Sequence, residues 1–238
     1  MPEIQLGAVA GGSARLKGYV ARPAGAGQWP GVVVIHEAWG LDDVMRRQAD
    51  RMAAAGYLTL APDLFSDGGA LRCIASTMRS MVTTRGRPFA DIEAARQWLL
   101  AQGDCTGKTG IVGFCMGGGF ALAVADTGFD AASVNYGVLP RDLNAAMGNA
   151  CPIVASYGRK DFGAARSVRR LDEALATHAV EHDVKLYPNA GHSFLNDAPD
   201  GPLLLRPLLK VLHMGPEPES AKDAWRRIET FFATHLGD

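Results

Sequence analysis

Several features that the chain lacks narrow what it can be. No apolar run approaches the roughly 18 consecutive residues of a membrane-spanning helix, and the first residues have neither the charged start nor the apolar run of a secretory signal. Acidic and basic residues nearly balance, giving a formal net charge of -1, so no electrostatic attraction to nucleic acid or to an anionic membrane is expected. We therefore expect a soluble cytoplasmic protein, a monomer or small homo-oligomer, whose partner is a small molecule.

Cysteine is also scarce. The four cysteines, Cys73, Cys105, Cys115 and Cys151, lack the close spacing of metal ligands, and disulfide frameworks are typical of short secreted chains. We interpret all four as thiols. The sequence predicts neither a metal site nor a cofactor.

Apolar residues, by contrast, are plentiful: they make up 47% of the 238 residues, which is enough for a sizeable core. The length is ordinary for one α/β domain, and no repeat or linker divides the chain, so residues 1–238 are predicted to form a single domain.

Short apolar runs alternate with amphipathic segments along the chain. Strands are predicted over 16–22 (at an edge), 31–35, 57–61, 109–114, 132–136, 153–157 and 183–187, and helices over 42–55, 71–81, 89–102, from 116, 165–178 and 221–236. This alternation predicts a mainly parallel sheet with helices on both faces. The segment 62–87 reads as an excursion over the sheet, of the kind that forms lids or substrate walls, and the proline-rich stretch 202–218 as a surface connection.

The stretch from Gly113 to Gly119, which reads GFCMGGG, lies between an apolar strand and an alanine-rich helix. It matches the G-x-S-x-G nucleophile elbow with Cys115 in place of serine. A helix N-terminus favours a thiolate, and the N–H of Met116 can point at a developing oxyanion. The alternatives are a cysteine that is merely a small buried apolar residue, and a dinucleotide-binding turn, which is disfavoured because Leu122 stands where the third glycine belongs.

A cysteine nucleophile needs a base and a residue that orients the base. Asp161 follows the predicted strand 153–157, and His192 follows the strand that ends at Tyr187, so both are expected at the same edge of the sheet as the elbow. Asp161 could equally be the N-cap of a helix beginning near Gly163. Four other histidines have a plausible surface explanation, and these are His178, His182, His213 and His235.

The loop after the strand 31–35 reads His36-Glu-Ala-Trp-Gly40. In a fold with such an elbow this loop supplies the second oxyanion donor, here the N–H of Ala38. Glu37 would hang over the site, where it could hold the proton of the resting thiol or simply brace the loop. Both interpretations of Glu37 stay open.

These motifs together resemble the dienelactone hydrolase family, over most of the chain from residue 31 to 232. The matching pieces are HEAWG at 36–40, PDLF at 62–65, DIEAA at 91–95, GFCMGG at 113–118, the turn at Asp161 and AGHSF at 190–194. The resemblance implies a three-layer α/β-hydrolase sandwich and hydrolysis of an enol-lactone such as carboxymethylenebutenolide by a Cys-His-Asp triad. Glu37 would match the carboxylate that pairs with the resting thiol.

One position departs from this pattern. Members that act on dienelactone place an arginine soon after the HSF motif, where this chain has Asn196. Arg72 and Arg79 are the candidates for another arginine that binds a substrate carboxylate, and Trp39 and Phe194 are predicted to contact the substrate.

The sequence thus predicts hydrolysis of a small ester or lactone through a covalent acyl-enzyme. A thioesterase or acyltransferase on the same triad, and a catalytically silent module that binds a small ligand, are the alternatives.

Overall fold

The centre of the protein is one eight-stranded sheet, seen in a computed structural model that describes residues 3–199 and 201–237. The strands lie in the order β1-β2-β4-β3-β5-β6-β7-β8. Their bounds are β1 Glu3–Gly7, β2 Leu16–Ala21, β3 Trp29–Ile35, β4 Leu58–Pro62, β5 Cys105–Phe114, β6 Ala131–Asn135, β7 Ile153–Gly158 and β8 His182–Tyr187. β2 runs antiparallel to both of its neighbours, and the remaining neighbours pair in parallel, so the predicted mainly parallel sheet is confirmed.

Helices cover both faces of the sheet. Their bounds are α1 Asp43–Ala54, α2 Ala70–Thr83, α3 Arg87–Leu100, α4 Met116–Ala123, α5 Leu143–Met147, α6 Ala164–Thr177, α7 Arg206–Val211 and α8 Pro218–Leu236. Gly31 and its neighbour Thr109 face Leu99 of α3, whereas Gly110, one residue along β5, faces Phe232 of α8. Because successive residues of a strand point to opposite faces, α3 and α8 lie on opposite sides of the sheet.

One expectation from the sequence is wrong: β2 is not an edge strand, because β1 pairs along its outer side. The stretch 202–218 lies at the surface, as expected, and contains a 3-10 turn at Leu203–Leu205 and α7. Pro207 is compatible with that helix because it lies in the first turn, where a missing N–H costs nothing.

The excursion after β4 carries α2, which packs against α3 and α4. It therefore lies beside the helix that follows Cys115. None of the helices within the described residues combines the length and the apolar character that crossing a membrane requires.

Candidate active site

Cys115 lies on a strained turn between β5 and α4. Its backbone has φ 54° and ψ -115°, a conformation that costs a non-glycine residue free energy and persists only where the surroundings impose it. A Cβ at Gly113 would lie 2.0 Å from the carbonyl oxygen of Gly117, and one at Gly117 would lie 2.2 Å from that of Ile35. Both positions therefore require glycine, and the turn leaves the Cys115 side chain partly exposed.

Two backbone N–H groups are predicted from the sequence to form the oxyanion hole. Met116 is the first residue of α4, and Ala38 is in the loop after β3. Within residues 3–199 and 201–237, neither N–H is bonded to an acceptor of the protein. Both donors are therefore available to a ligand.

His192 and Asp161 are brought together by the loops after β8 and β7. His192 Nδ1 lies 2.6 Å from Asp161 Oδ2. Asp161 is not a helix cap, because the N-cap residue of α6 is Gly163, which has no side chain to cap the helix. With Nδ1–H donated to the carboxylate, the other ring nitrogen is left for Cys115, which also raises the pKa of His192.

The surroundings of His192 decide its charge. Burial lowers the pKa of the ring, but the interactions with Asp161 and Cys115 outweigh burial and raise the pKa well above its usual value. A strongly shifted pKa on a histidine that interacts with a carboxylate and a thiol is typical of a group that moves protons.

His36 has a structural role that the sequence left unassigned. Its ring is fully buried; Nδ1 donates to the carbonyl of Glu37 at 2.7 Å, and Nε2 accepts the N–H of Leu64 at 3.1 Å. Burial lowers the pKa of His36, more than its hydrogen bond to Glu37 raises it, so the ring is neutral. It ties the loop that carries Ala38 to the segment after β4.

Glu37 links this loop to the loop of His192. Its buried carboxylate accepts hydrogen bonds from Ser193 Oγ at 3.3 Å and from Asn196 Nδ2 at 3.2 Å. Ser193 and Asn196 were not predicted to hold Glu37, and their spacing along the chain gives no signal that they do. Asn196, which replaces the expected arginine, is thus a neutral partner of Glu37.

The residues predicted to contact substrate are dispersed. Trp39 lines a cavity beside Ala38. Phe194 is fully buried, and its ring centroid lies 5.8 Å from that of Tyr136 and 5.1 Å from that of Tyr187. The predicted contact of Phe194 with substrate is therefore wrong, because a fully buried ring packs in the core and has no surface that a substrate could touch.

Arg72 and Arg79 are exposed on α2 and line neither of two cavities that lie beside α7. Their contact with a substrate carboxylate stays a prediction.

Those two cavities flank α7 at this edge of the sheet. One, of about 630 Å³, is lined by residues that include Ala38 and Trp39. The other, of about 730 Å³, is lined by residues that include Gly191. Arg206 lines both. The described residues contain no group of three or more His, Cys, Asp or Glu side chains arranged to hold a metal ion.

Comparison with known proteins gives concordant matches. The model of the dienelactone hydrolase family matches residues 16–236. The carboxymethylenebutenolidase of Rhodococcus opacus is 25% identical over 232 residues, covering 92% of this chain and 86% of that protein.

Solved structures match over almost the whole chain. A dienelactone hydrolase-like promiscuous phosphotriesterase from metagenomic libraries superposes with a TM-score of 0.83 at 24% identity, covering 99% of this chain and 98% of that one. An esterase of Thermogutta terrifontis has a TM-score of 0.62 at 15% identity, covering 99% and 93%. These two likenesses concern the fold.

Proposed function

The chain belongs to the dienelactone hydrolase family and is a carboxylic ester hydrolase, and we propose that it cleaves a small ester or lactone with Cys115 as nucleophile, His192 as acid and base, and Asp161 as the residue that orients His192. The observation that carries this proposal is the 2.6 Å contact between His192 and Asp161. It lies beside a partly exposed thiol on a strained turn.

In the first half of the reaction, the Cys115 thiolate attacks the carbonyl carbon, and the carbonyl π electrons move to oxygen. The N–H groups of Met116 and Ala38 stabilise this oxyanion. When the intermediate collapses, the carbon–oxygen bond to the leaving alkoxide breaks, and the His192 imidazolium donates its proton to that oxygen. In a lactone the released hydroxyl stays attached to the acyl group.

In the second half, neutral His192 takes a proton from water, and the hydroxide oxygen attacks the thioester carbonyl. Collapse of this intermediate breaks the carbon–sulfur bond and restores the thiolate and the imidazolium. Asp161 keeps Nδ1 protonated throughout, so that the other ring nitrogen always faces the reacting atoms.

The substrate that we propose is uncharged near the scissile bond. Asn196 is buried and donates to Glu37, where the family resemblance would place an arginine. A hydrogen bond to a charged group is worth about 1.5 to 3 kcal/mol, so the missing guanidinium should weaken binding of a carboxylate. We expect a higher kcat/KM for p-nitrophenyl acetate than for dienelactone, and a gain on dienelactone in Asn196→Arg.

The test of the nucleophile uses two cysteine variants. Cys115→Ala should lower kcat/KM for p-nitrophenyl acetate by about a thousandfold or more, because the triad acts as a unit. Cys105→Ala, at the other partly exposed thiol, is the matched control and should keep wild-type activity. Retention of more than about a tenth of the rate in Cys115→Ala would reject Cys115.

The acyl-enzyme has a separate signature. Intact-protein mass spectrometry during turnover should find one acetyl group on wild type and on Cys105→Ala, and none on Cys115→Ala. A matched acetyl thioester, assayed in parallel, decides between an esterase and a thioesterase by the ratio of the two kcat/KM values.

A further inference from the structure

We propose that the 630 Å³ cavity beside Ala38 binds an uncharged, medium-length alkyl arm of the ester, which makes medium-chain alkyl esters the preferred substrates. This inference rests on the proposed function, because it takes Ala38 as an oxyanion donor. The cavity is large enough for such a group, since small-molecule sites measure about 300 to 1,000 Å³.

The cavity borders the loop that carries the proposed oxyanion donor, because Ala38 and Trp39 line it. An ester whose carbonyl oxygen is bound at the Ala38 N–H can therefore extend one of its arms into the cavity. Cys115 and His192 do not line it. The cavity therefore receives a part of the substrate away from the bond that breaks.

One wall of the cavity is formed by the segment 201–215, which contacts both the loop of Ala38 and the loop of His192. The segment 201–215 begins against Trp39, since a Cβ at Gly201 would lie 3.0 Å from that indole. It ends at Gly215, whose N–H donates to the carbonyl of His192 at 2.8 Å. This segment therefore connects the oxyanion loop to the histidine loop.

The lining matches an alkyl group. Most of it is apolar, including Val44, Ala70, Leu71 and Ile74. Leu71 is 99% exposed at the wall, and an alkyl chain that covers it would remove apolar surface from water.

Three of the four charged side chains that line the cavity in the described part of the chain have partners of opposite charge or cap a helix, and the fourth, Arg206, donates to the carbonyl of Gly201 at 3.4 Å. Arg47 forms two hydrogen bonds with Asp197, Asp43 pairs with Arg46, and Asp42 caps α1. Charged side chains that already have partners do not require a charged ligand. An uncharged alkyl chain therefore fits this lining better than an anion.

The expected gain follows from the length of the chain. Each methylene that leaves water entirely is worth roughly a fourfold change in binding. p-Nitrophenyl octanoate or octyl acetate should therefore have a kcat/KM at least about tenfold above that of p-nitrophenyl acetate or ethyl acetate, respectively, even when burial of the chain is partial.

The decisive variant is Ala70→Trp, which fills the cavity from the start of α2. It should bring the ratio of kcat/KM for p-nitrophenyl octanoate to kcat/KM for p-nitrophenyl acetate down to about one. The matched control is Ala75→Trp, an exposed alanine of the same helix outside the cavity, which should keep the preference. Should Ala70→Trp fail to fold, Leu71→Asp replaces it, with Leu208→Asp as its control on exposed surface outside both cavities.

Binding of 1-octanol, measured by calorimetry, tests the cavity without using catalysis. Wild type and Ala75→Trp should bind it, and Ala70→Trp should lose at least about tenfold in affinity. The proposal is overturned if neither p-nitrophenyl octanoate nor octyl acetate is preferred over its short-chain counterpart. It is also overturned if the preference survives in Ala70→Trp, or if octanol binds both tryptophan variants with equal affinity. If the protein hydrolyses no ester but binds octanol, and Ala70→Trp loses that binding, the proposed function is rejected and the alkyl site is confirmed.

Discussion

At the scale of single residues, the site depends on side chains whose protonation is set by their neighbours. His192 and His36 are both largely enclosed, yet the pKa of His192 is raised and that of His36 is lowered. The difference follows from their partners: His192 bonds to a carboxylate, whereas His36 bonds to two backbone groups. Burial alone therefore does not set the charge of a histidine.

Asp161→Asn should separate orientation from charge at His192. The amide removes the negative charge that raises the pKa of His192, and it can present an N–H where the ring nitrogen needs an acceptor. We expect the ring to titrate at lower pH in an NMR titration, and kcat/KM to fall by about 10³- to 10⁴-fold. An unchanged His192 titration in this variant would mean that Asp161 does not hold the proton on Nδ1.

His36 should make the fold sensitive to acid. Because burial lowers the pKa of His36, the unfolded chain binds a proton below about pH 6.5 that the folded chain does not yet bind. The contribution to stability is thus complete above that pH and is lost as the pH falls toward the lowered folded value.

The comparison variant is His36→Gln, which cannot satisfy both backbone groups and should cost about 1 to 3 kcal/mol in free energy of unfolding at pH 7.5. In urea unfolding, the difference in free energy of unfolding between wild type and variant should be smaller at pH 5.5 than at pH 7.5. A difference that stays constant or grows would contradict a neutral buried ring.

At the scale of elements, the elbow depends on how closely α4 approaches β3 and β5. Gly117→Ala places a methyl group against the carbonyl of Ile35, and backbone of a central strand cannot yield easily. We expect a loss of about 3 kcal/mol or more in free energy of unfolding, together with loss of activity. Gly103→Ala is the matched control, because a Cβ there meets nothing within 4 Å and no positive φ is required; it should be neutral or stabilising by about 0.4 to 1 kcal/mol. Equal stability of the two variants in urea unfolding would argue against close packing at the elbow.

At the scale of the whole molecule, the continuous sheet predicts that the chain unfolds as one domain. α8 packs against β5, β6 and β7, and the ion pair between its Glu229 and Arg51 of α1 ties it to the helix that packs on β2, β4 and β3. The four tryptophans lie in different parts of the fold: Trp29 in β3, Trp39 in the loop after β3, Trp98 in α3 and Trp225 in α8. Urea transitions followed by tryptophan fluorescence and by far-ultraviolet circular dichroism should therefore coincide. Two separated transitions would divide the chain into more than one domain.

The sequence by itself determined the features that depend on local pattern. Short β-branched runs and amphipathic segments specified most strands and helices, and the glycines around Cys115 specified the elbow, because only glycine tolerates its close backbone contacts. The order of Cys115, Asp161 and His192 placed all three at one edge of a parallel sheet. These inferences need only neighbours along the chain and the direction of the strands.

Only the tertiary structure decided the roles that depend on contacts between distant segments. Asp161 could have been a helix cap until β7 and β8 paired in register and brought it to His192. Glu37 meets Ser193 and Asn196 from 156 and 159 residues away, Phe194 turns into the core, and α7 forms a wall between two cavities. No local pattern encodes these contacts, because they arise from strand register and side-chain packing, which the whole chain settles together.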